Sequence, residues 1–279
     1  MAKSSARKSG QGGDDKSTRE KAAAARAAQQ VAEKRRERTI RIIGAIGVLA
    51  VVVLIIGLAV IVPRLSGDDS GGGGRDLPDV DPAAALPAGV LGPDAEFAYA
   101  YPYGNAPDTA PTLAIWEDFQ CPACAALEEI NGQGIKDLAD AGQVQLFWRP
   151  TTFLDRNLNN TSSAEAVSAW GCAIDAGKAM EFSDLVYANQ PAEGAGFTTA
   201  QLIDFGVQAG IGGAELETFT QCVEDGTYLG WAVNSTALFY EQNVPGTPTG
   251  FLNGLPLNGG QLADQVELQR LVDEAAAAQ

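Results

Sequence analysis

The sequence predicts an α/β domain with an inserted helical subdomain, preceded by a single transmembrane helix. Three observations carry that prediction. An apolar run, Thr112 to Phe119, reads as a strand. It leads through Cys121-Pro122-Ala123-Cys124 into a helical pattern, Ala125 to Ala141, and then into an alternating run, Val144 to Trp148. A strand–helix–strand unit of that length implies a parallel pair of strands. Residues 157 to 242 then show apolar positions at helical spacing, and strand signals return only after them. Finally, Ile42 to Val62 is an uncharged run of 21 residues. At about 1.5 Å per residue it is long enough to cross a bilayer core of roughly 30 Å.

The net charge of −16 averages two unlike parts. Residues 1–41 hold twelve of the nineteen Lys and Arg but only five of the thirty-five Asp and Glu. Opposite charge on the two sides of an apolar segment suggests two compartments, with the basic side in the cytoplasm. The expected location is the cell membrane, single-pass, with the N-terminus cytoplasmic and the C-terminal domain extracytoplasmic. Histidine is absent. That excludes Ser-His-Asp and Cys-His hydrolases and any His-ligated metal, and it removes the usual acid–base group near neutral pH. All four cysteines lie beyond residue 120.

Taken in order, Met1 to Gly13 has the small, polar, basic composition of a disordered segment. Ser17 to Arg38 has helical composition, with Ser17-Thr18-Arg19-Glu20 as a capping box. It reads either as a solvated helix or as a basic helix on anionic headgroups. A cleaved signal peptide is the rival reading of 42–62. The long segment before it and the lack of an Ala-x-Ala site after it favour an uncleaved signal anchor. Residues 63–94 read as a linker, flexible where Gly71 to Gly74 run together and stiffer around Pro78, Pro82, Pro87 and Pro93.

The folded domain is expected over 95–279. Phe97, Tyr99 and Tyr101 alternate as a first strand. Leu127, Ile130 and Leu138 point the first helix at a core, with a bend expected at Gly132 and Gly134. Val144, Leu146 and Trp148 form the next strand, ended by Pro150. The helical insertion, about 157–242, carries Val167, Trp170 and Ile174, then Phe182 and Val186. Leu202 and Phe205 follow behind a cap at Thr198 or Thr199, and then Leu216, Phe219 and Val223. Val244 to Gly254 reads as loop, strand and turn, with Asn253-Gly254 a hairpin signal and Pro256 marking an edge strand. Gly259-Gly260 precedes a final helix with Leu268, Leu271, Val272 and Ala275 on one face.

Two cysteines at the start of a helix make a redox site when the first is exposed and mostly thiolate. Unpaired N–H groups and the helix dipole favour negative charge on Cys121. Pro122 suits the first turn, where its missing N–H is not needed. Cys121 then exchanges with a partner's sulfur, and Cys124, one turn in, resolves the mixed disulfide. A zinc site would need Cys172 and Cys222 as well, and their spacing is not that of a knuckle. An inert bridge between Cys121 and Cys124 would close too short a loop to stabilise much. Cys172 and Cys222 read either as a second redox pair or as a structural bridge between two helices. As a bridge they would contribute roughly 3–4 kcal/mol through chain entropy. No cofactor and no bound metal are expected.

The order of strand, Cys-Pro-Ala-Cys, helix, inserted helices and Gly-Thr-Pro-Thr before a strand resembles the DsbA-like thiol:disulfide oxidoreductases of the thioredoxin superfamily. The likeness is to their membrane-anchored bacterial branch and covers about residues 95–279. It implies a thioredoxin fold and a cis bond between Thr247 and Pro248, packed beside Cys121 and Cys124. It further implies that the backbone of Thr247 pairs with a substrate strand. The Cys172–Cys222 bridge is similar to one in some anchored members. Two positions depart from the pattern. Ala123 stands where the DsbA type often has His. Ile115 stands where many thioredoxins have a buried acid, with Glu117 and Asp118 nearer the dithiol. These two acids tune the pKa of the sulfurs, shuttle protons or simply face solvent; either one, buried near the sulfurs, would raise the thiolate pKa and weaken oxidation.

The resemblance implies an enzyme that passes a disulfide to cysteine-containing secreted proteins. A quinone-linked membrane oxidase, DsbB-like or vitamin K epoxide reductase-like, would recharge it. A reductase or isomerase would run the same chemistry in another direction. A non-catalytic, membrane-anchored interaction module is the alternative from a different class. No nucleic-acid partner is expected.

Overall fold

The computed structural model describes residues 75–278. The expected basic segment, transmembrane helix and first part of the linker, residues 1–74, lie outside the described residues. Among the described residues no helix is long and apolar enough to cross a membrane.

Five strands form one mixed sheet: β1 (Tyr101–Tyr103), β2 (Thr112–Glu117), β3 (Gln145–Pro150), β4 (Thr249–Leu252) and β5 (Leu255–Leu257), in the order β1-β3-β2-β4-β5. β2 and β3 are parallel, with Leu113 opposite Leu146 and Ile115 opposite Trp148. The other pairs are antiparallel. β2 is central and covered on both faces, which is why its sequence is apolar without alternation. Leu113 and Ile115 enter the main core with Ile135, Leu138 and Trp170. Trp116 enters a smaller one with Phe239 and Val244.

The chain leaves β2 into α1 (Pro122–Leu127), a π turn (Glu128–Gly132) and α2 (Gln133–Asp140). The bend expected at the glycines takes the form of this turn. A π turn holds an extra residue and rotates everything beyond it. Ile130, expected in the core, is therefore 66 % exposed, while Leu127 and Leu138 are buried as expected. Asn131 goes inward instead, and its amide donates to the Leu262 carbonyl at 2.6 Å. A Cβ at Gly134 would meet Asn131 Oδ1 at 2.2 Å, and one at Gly132 would meet Glu128 Oε2 at 2.3 Å. Both glycines leave room for a polar side chain to fold back.

Six helices separate β3 from β4: α3 (Phe153–Leu158), α4 (Ser162–Asp175), α5 (Ala179–Ala188), α6 (Thr199–Gln208), α7 (Ala214–Asp225) and α8 (Leu229–Glu241). The helical run thus opens at Phe153, a few residues before the expected start. α4 is the axis; it is apolar or small on nearly every side and almost wholly buried. Thr198 is the cap of α6, in a capping box with Gln201. Cys172 on α4 and Cys222 on α7 are joined in a disulfide across 50 residues, so the structure takes the bridge of the two readings.

The first expected strand is shorter than its alternation suggests. The chain turns at Tyr99, whose φ is +64°, and Trp231 Nε1 donates to the Tyr99 carbonyl at 2.9 Å. Only Tyr101–Tyr103 pairs with β3. The segment from Arg75 to Asp94, read from its Gly and Pro content as linker, packs on the helices. Asp81 and Asn234 exchange two hydrogen bonds, at 3.0 and 2.6 Å, and the Ala88 N–H donates to Asp175 at 2.8 Å. Gly171 and Gly230 lack the Cβ atoms that would strike Pro87 and Ala84. Composition reports solvation on average; here small residues in α4 and α8 make a groove that accepts the chain.

Asn253 and Gly254, both at positive φ, make the β4–β5 turn, and β5 with Pro256 is the sheet's edge. Gly259 and Gly260 precede the last helix as expected, but with a short helix between. They open this short helix, α9 (Gly259–Ala263), capped by Asn258, and Asp264 then caps α10 (Gln265–Ala277).

Replacing Cys172 and Cys222 together by serine is expected to lower the unfolding free energy by about 3–4 kcal/mol, from the loop-closure entropy restored to the unfolded chain. Chemical denaturation should show this as a lower midpoint, with the reactivity of Cys121 unchanged.

Candidate active site

The site is built where β2 ends. Cys121 is the N-cap of α1, with φ −78° and ψ 116°, and Pro122 occupies the first turn. Both dithiol cysteines are free thiols here. Both are buried, Cys124 at 0 % and Cys121 at 7 % exposure, so only Cys121 keeps any exposure. Opposite them, Thr247 and Pro248 are joined by a cis bond. The Cys121 thiol donates to the Thr247 carbonyl at 3.3 Å across 126 residues of sequence. The structure thus brings together Cys121, Cys124, Thr247 and Pro248. Cys172 and Cys222 are bonded to each other in the helical insertion.

The two sulfurs are electrostatically unequal. Cys121 is lowered to about 6, first by a hydrogen bond from the Cys124 thiol, against the opposing effect of burial. The Thr247 side chain and the first-turn N–H groups of Cys124 and Ala123 add to the lowering. Cys124 is pushed well above an ordinary thiol by burial, by its bond to Cys121 and by the charge of Glu117. The buried Thr247 hydroxyl has no partner of ordinary hydrogen-bond geometry, and its effect on both sulfurs favours the thiolate.

The two acids before the dithiol both point inward, and their surroundings differ. Glu117 is buried with Oε1 unpaired. Burial first, then the charges of Glu128 and Cys121, push it well above the carboxylate range, and Lys136 opposes them. Asp118 is raised to about 7 by burial, although it accepts from Ser163 Oγ at 2.6 Å and from the N–H groups of Gln120 and Leu154. Gln120 in turn donates to Asp155 at 2.8 Å and to Ser163 at 2.8 Å. The turn that presents Cys121 is therefore held by the start of the helical insertion.

Glu128 was not legible as a site residue. It stands seven positions after Cys121, two turns along a helix, and that spacing was the one available signal. The π turn and Gly132 let its carboxylate fold inward, where burial raises it to about 7 while Lys136 opposes. Lys136 itself pairs with Asp184 at 2.6 Å. A cavity of about 620 Å³ beside Pro122 is lined by Glu128, Glu129, Lys136, Asp184 and Tyr187. Among the described residues no cluster of His, Cys, Asp or Glu is arranged to hold a metal ion.

A thioredoxin family profile matches residues 101–274. No curated protein sequence matches the chain. Among solved structures, the chain is similar to the thiol-disulfide oxidoreductase MdbA of Actinomyces oris, at 20 % identity and a TM-score of 0.55, over 70 % of this chain and 93 % of that one. It is similar to BdbD of Bacillus subtilis, in its oxidised form, at 19 % identity and a TM-score of 0.55, over 71 % and 99 %. The oxidised DsbA of Mycobacterium tuberculosis matches at 25 % identity and a TM-score of 0.50, over 64 % of this chain and 98 % of that one.

Alkylation of Cys121 should follow a thiolate titration centred near 6 and be lost as pH falls through that value. Thr247→Val, which keeps the shape and removes the hydroxyl, should move the midpoint upward by a few tenths to about one pH unit. Iodoacetamide modification followed by mass spectrometry across pH 4–9 measures both.

Proposed function

The chain belongs to the thioredoxin family and is a thiol:disulfide oxidoreductase enzyme, and from that premise we propose that it works outside the cytoplasm as an oxidant, forming disulfides in secreted or membrane proteins. The observation that carries the redox reading is geometric: Cys121 caps α1 opposite the cis Thr247–Pro248 bond, its thiol on the Thr247 carbonyl, and a pKa held below that of an ordinary thiol favours the oxidant direction. A stabilised thiolate stabilises the reduced form, and a dithiol whose reduced form is stable gives up its disulfide readily.

The steps follow from the unequal sulfurs. A substrate thiolate attacks Cys121 Sγ of the oxidised enzyme, the more exposed sulfur. A substrate–Cys121 bond forms, and the Cys121–Cys124 bond breaks. Cys124 leaves as a thiolate in a place without solvent, and it needs a proton. Glu117, whose charge is felt at Cys124 and whose carboxyl holds its proton far above the usual range, supplies it. A second substrate thiolate then attacks the substrate sulfur of the mixed disulfide. Cys121 is released as a thiolate, and two electrons have passed from substrate to enzyme. The Thr247 carbonyl, already in contact with the Cys121 thiol, is the group along which a substrate strand would pair. A quinone-linked membrane oxidase, DsbB-like or vitamin K epoxide reductase-like, would return the dithiol to a disulfide.

The placement rests on sequence. Residues 42–62 are apolar, the flank before them is basic and the part after them is acidic. The anchor is a single pass with the catalytic domain outside, reached through a Gly-rich tether. Protease added to intact spheroplasts should digest the C-terminal part; its protection would overturn the orientation.

The reduced and oxidised proteins should respond differently to pH. In the unfolded chain Cys121 ionises near 9.0, and in the folded chain near 6. The lowered group contributes stability that is full above about 9 and is lost as pH falls towards 6. The disulfide form has no such contribution. The reduced form should therefore gain on the oxidised form between pH 6 and 9 in paired denaturation curves. The full-length chain should accelerate oxidative refolding of a reduced secreted protein. Cys124→Ser should accumulate mixed disulfides that Cys121→Ser does not. A reduction potential near about −270 mV, the thioredoxin value, would refute the oxidant reading, whereas one near about −120 mV, the DsbA value, would support it. Unchanged function of Cys121→Ala in cells would instead favour an interaction module.

A further inference from the structure

Gln190 lies two residues beyond α5, in the loop that leads to α6. Its side-chain Nε2 carries two hydrogens, and both are used. One goes to the Phe119 carbonyl at 2.8 Å and the other to the Cys121 carbonyl at 3.1 Å. The residue is half-buried and reaches across about 70 positions of sequence to straddle the turn that presents the dithiol. Its loop is fixed at the same place by a second contact: the ring of Tyr187, at the end of α5, lies 5.0 Å from that of Phe119. Among the described residues the Gln190 amide donates to no titratable side chain, so its effect on Cys121 is exerted through the backbone.

The Cys121 carbonyl also accepts from the N–H groups of Cys124 and Ala125, at 3.1 and 3.2 Å. Holding this carbonyl fixes ψ at the N-cap. That angle decides whether Cys121 Sγ sits over the free N–H groups of the first turn and beside Thr247. The Phe119 carbonyl, at the other end of the bend, has Gln190 as its partner. Two anchors either side of Gln120 leave the turn little freedom to relax.

We infer that Gln190 is a positioning residue for Cys121, a double donor through which the helical insertion holds the dithiol turn in the conformation that keeps Cys121 reactive. This rests on the redox reading of Cys121, and it adds a residue outside the thiols and the cis-Pro loop. The Phe119 carbonyl needs this donor and the Cys121 carbonyl is held by it as a third, so neither an apolar side chain of the same length nor a carboxylate replaces Gln190. A carboxylate would set acceptors against acceptors.

The test is the pH profile of Cys121 alkylation by iodoacetamide in the full-length chain, read by mass spectrometry, with melting temperature measured in parallel. Gln190→Met preserves volume and removes both hydrogen bonds. It should raise the midpoint by about half to one pH unit. At pH 5, below both midpoints, that reads as about 3- to 10-fold slower alkylation. Gln190→Glu should move it further in the same direction, and both variants should have a less oxidising dithiol. A merely structural role would lower the melting temperature and leave the midpoint in place. Midpoints unchanged from the parent overturn the inference whether or not melting shifts. If Gln190→Glu does not fold, Gln190→Met decides alone. A parent chain whose own midpoint lies near 9 would sink the functional reading along with it. A parent near 6 with unshifted variants would sink this inference only.

Discussion

The structure depends on an asymmetry within a single helical turn. Cys121 and Cys124 are three residues apart, and one is at the helix mouth while the other is under it. The Cys124 thiol, the first-turn N–H groups and the Thr247 side chain favour charge on the first, against its burial. Burial and a neighbouring carboxyl forbid it on the second. A disulfide between two such sulfurs is attacked at one predictable atom. Cys124 holds its proton at neutral pH, so the thiolate chemistry is concentrated on Cys121.

Much of the remaining fold keeps that turn in place. β2 delivers it, and being central it cannot shift without breaking pairing on both sides. The helical insertion then grips it from a long way off in sequence. Asp118 accepts from Ser163 and from the Leu154 N–H. Gln120 donates to Asp155 and Ser163, and Gln190 donates to the two flanking carbonyls. The disulfide from α4 to α7 and the segment before β1, packed on α4 and α8, hold the insertion itself. Buried polar groups this numerous are tolerated because nearly every one is paired. Seven buried side-chain atoms among the described residues are unpaired, and two of them, Glu117 Oε1 and Thr247 Oγ1, belong to groups that act on the dithiol.

The buried acids give this site a character of its own. With no histidine in the chain, Ala123 adds no charge to the turn between the sulfurs. The low pKa of Cys121 comes instead from hydrogen bonds. The carboxyls beside the turn hold their protons because burial lifts them, Glu117 above all. The charge of Glu128 raises Glu117 further, and Lys136 opposes the rise of both.

The sequence by itself determined the dithiol, the parallel strand–helix–strand unit around it, the helical insertion and the Asn253-Gly254 hairpin. Each is written in local spacing: two cysteines before a helical pattern, period-two strands, a turn dipeptide at positive φ. The pairing of Thr247 and Pro248 with the cysteines came from resemblance, since no local pattern joins residues 126 apart. Tertiary structure alone decided the rest. A π turn at Glu128–Gly132 turned Ile130 out and Asn131 and Glu128 in, because one extra residue in a turn rotates every side chain beyond it. Small residues in α4 and α8 drew a Pro-rich segment onto the fold that composition assigned to solvent. Gln190 carries no sequence signal at all, since a lone amide in a loop acquires meaning only from the two carbonyls it reaches. The Cys-Pro-Ala-Cys motif thus names its chemistry in four residues and supplies most of the groups that lower the pKa of its first sulfur, while Thr247 is brought to that sulfur only by folding.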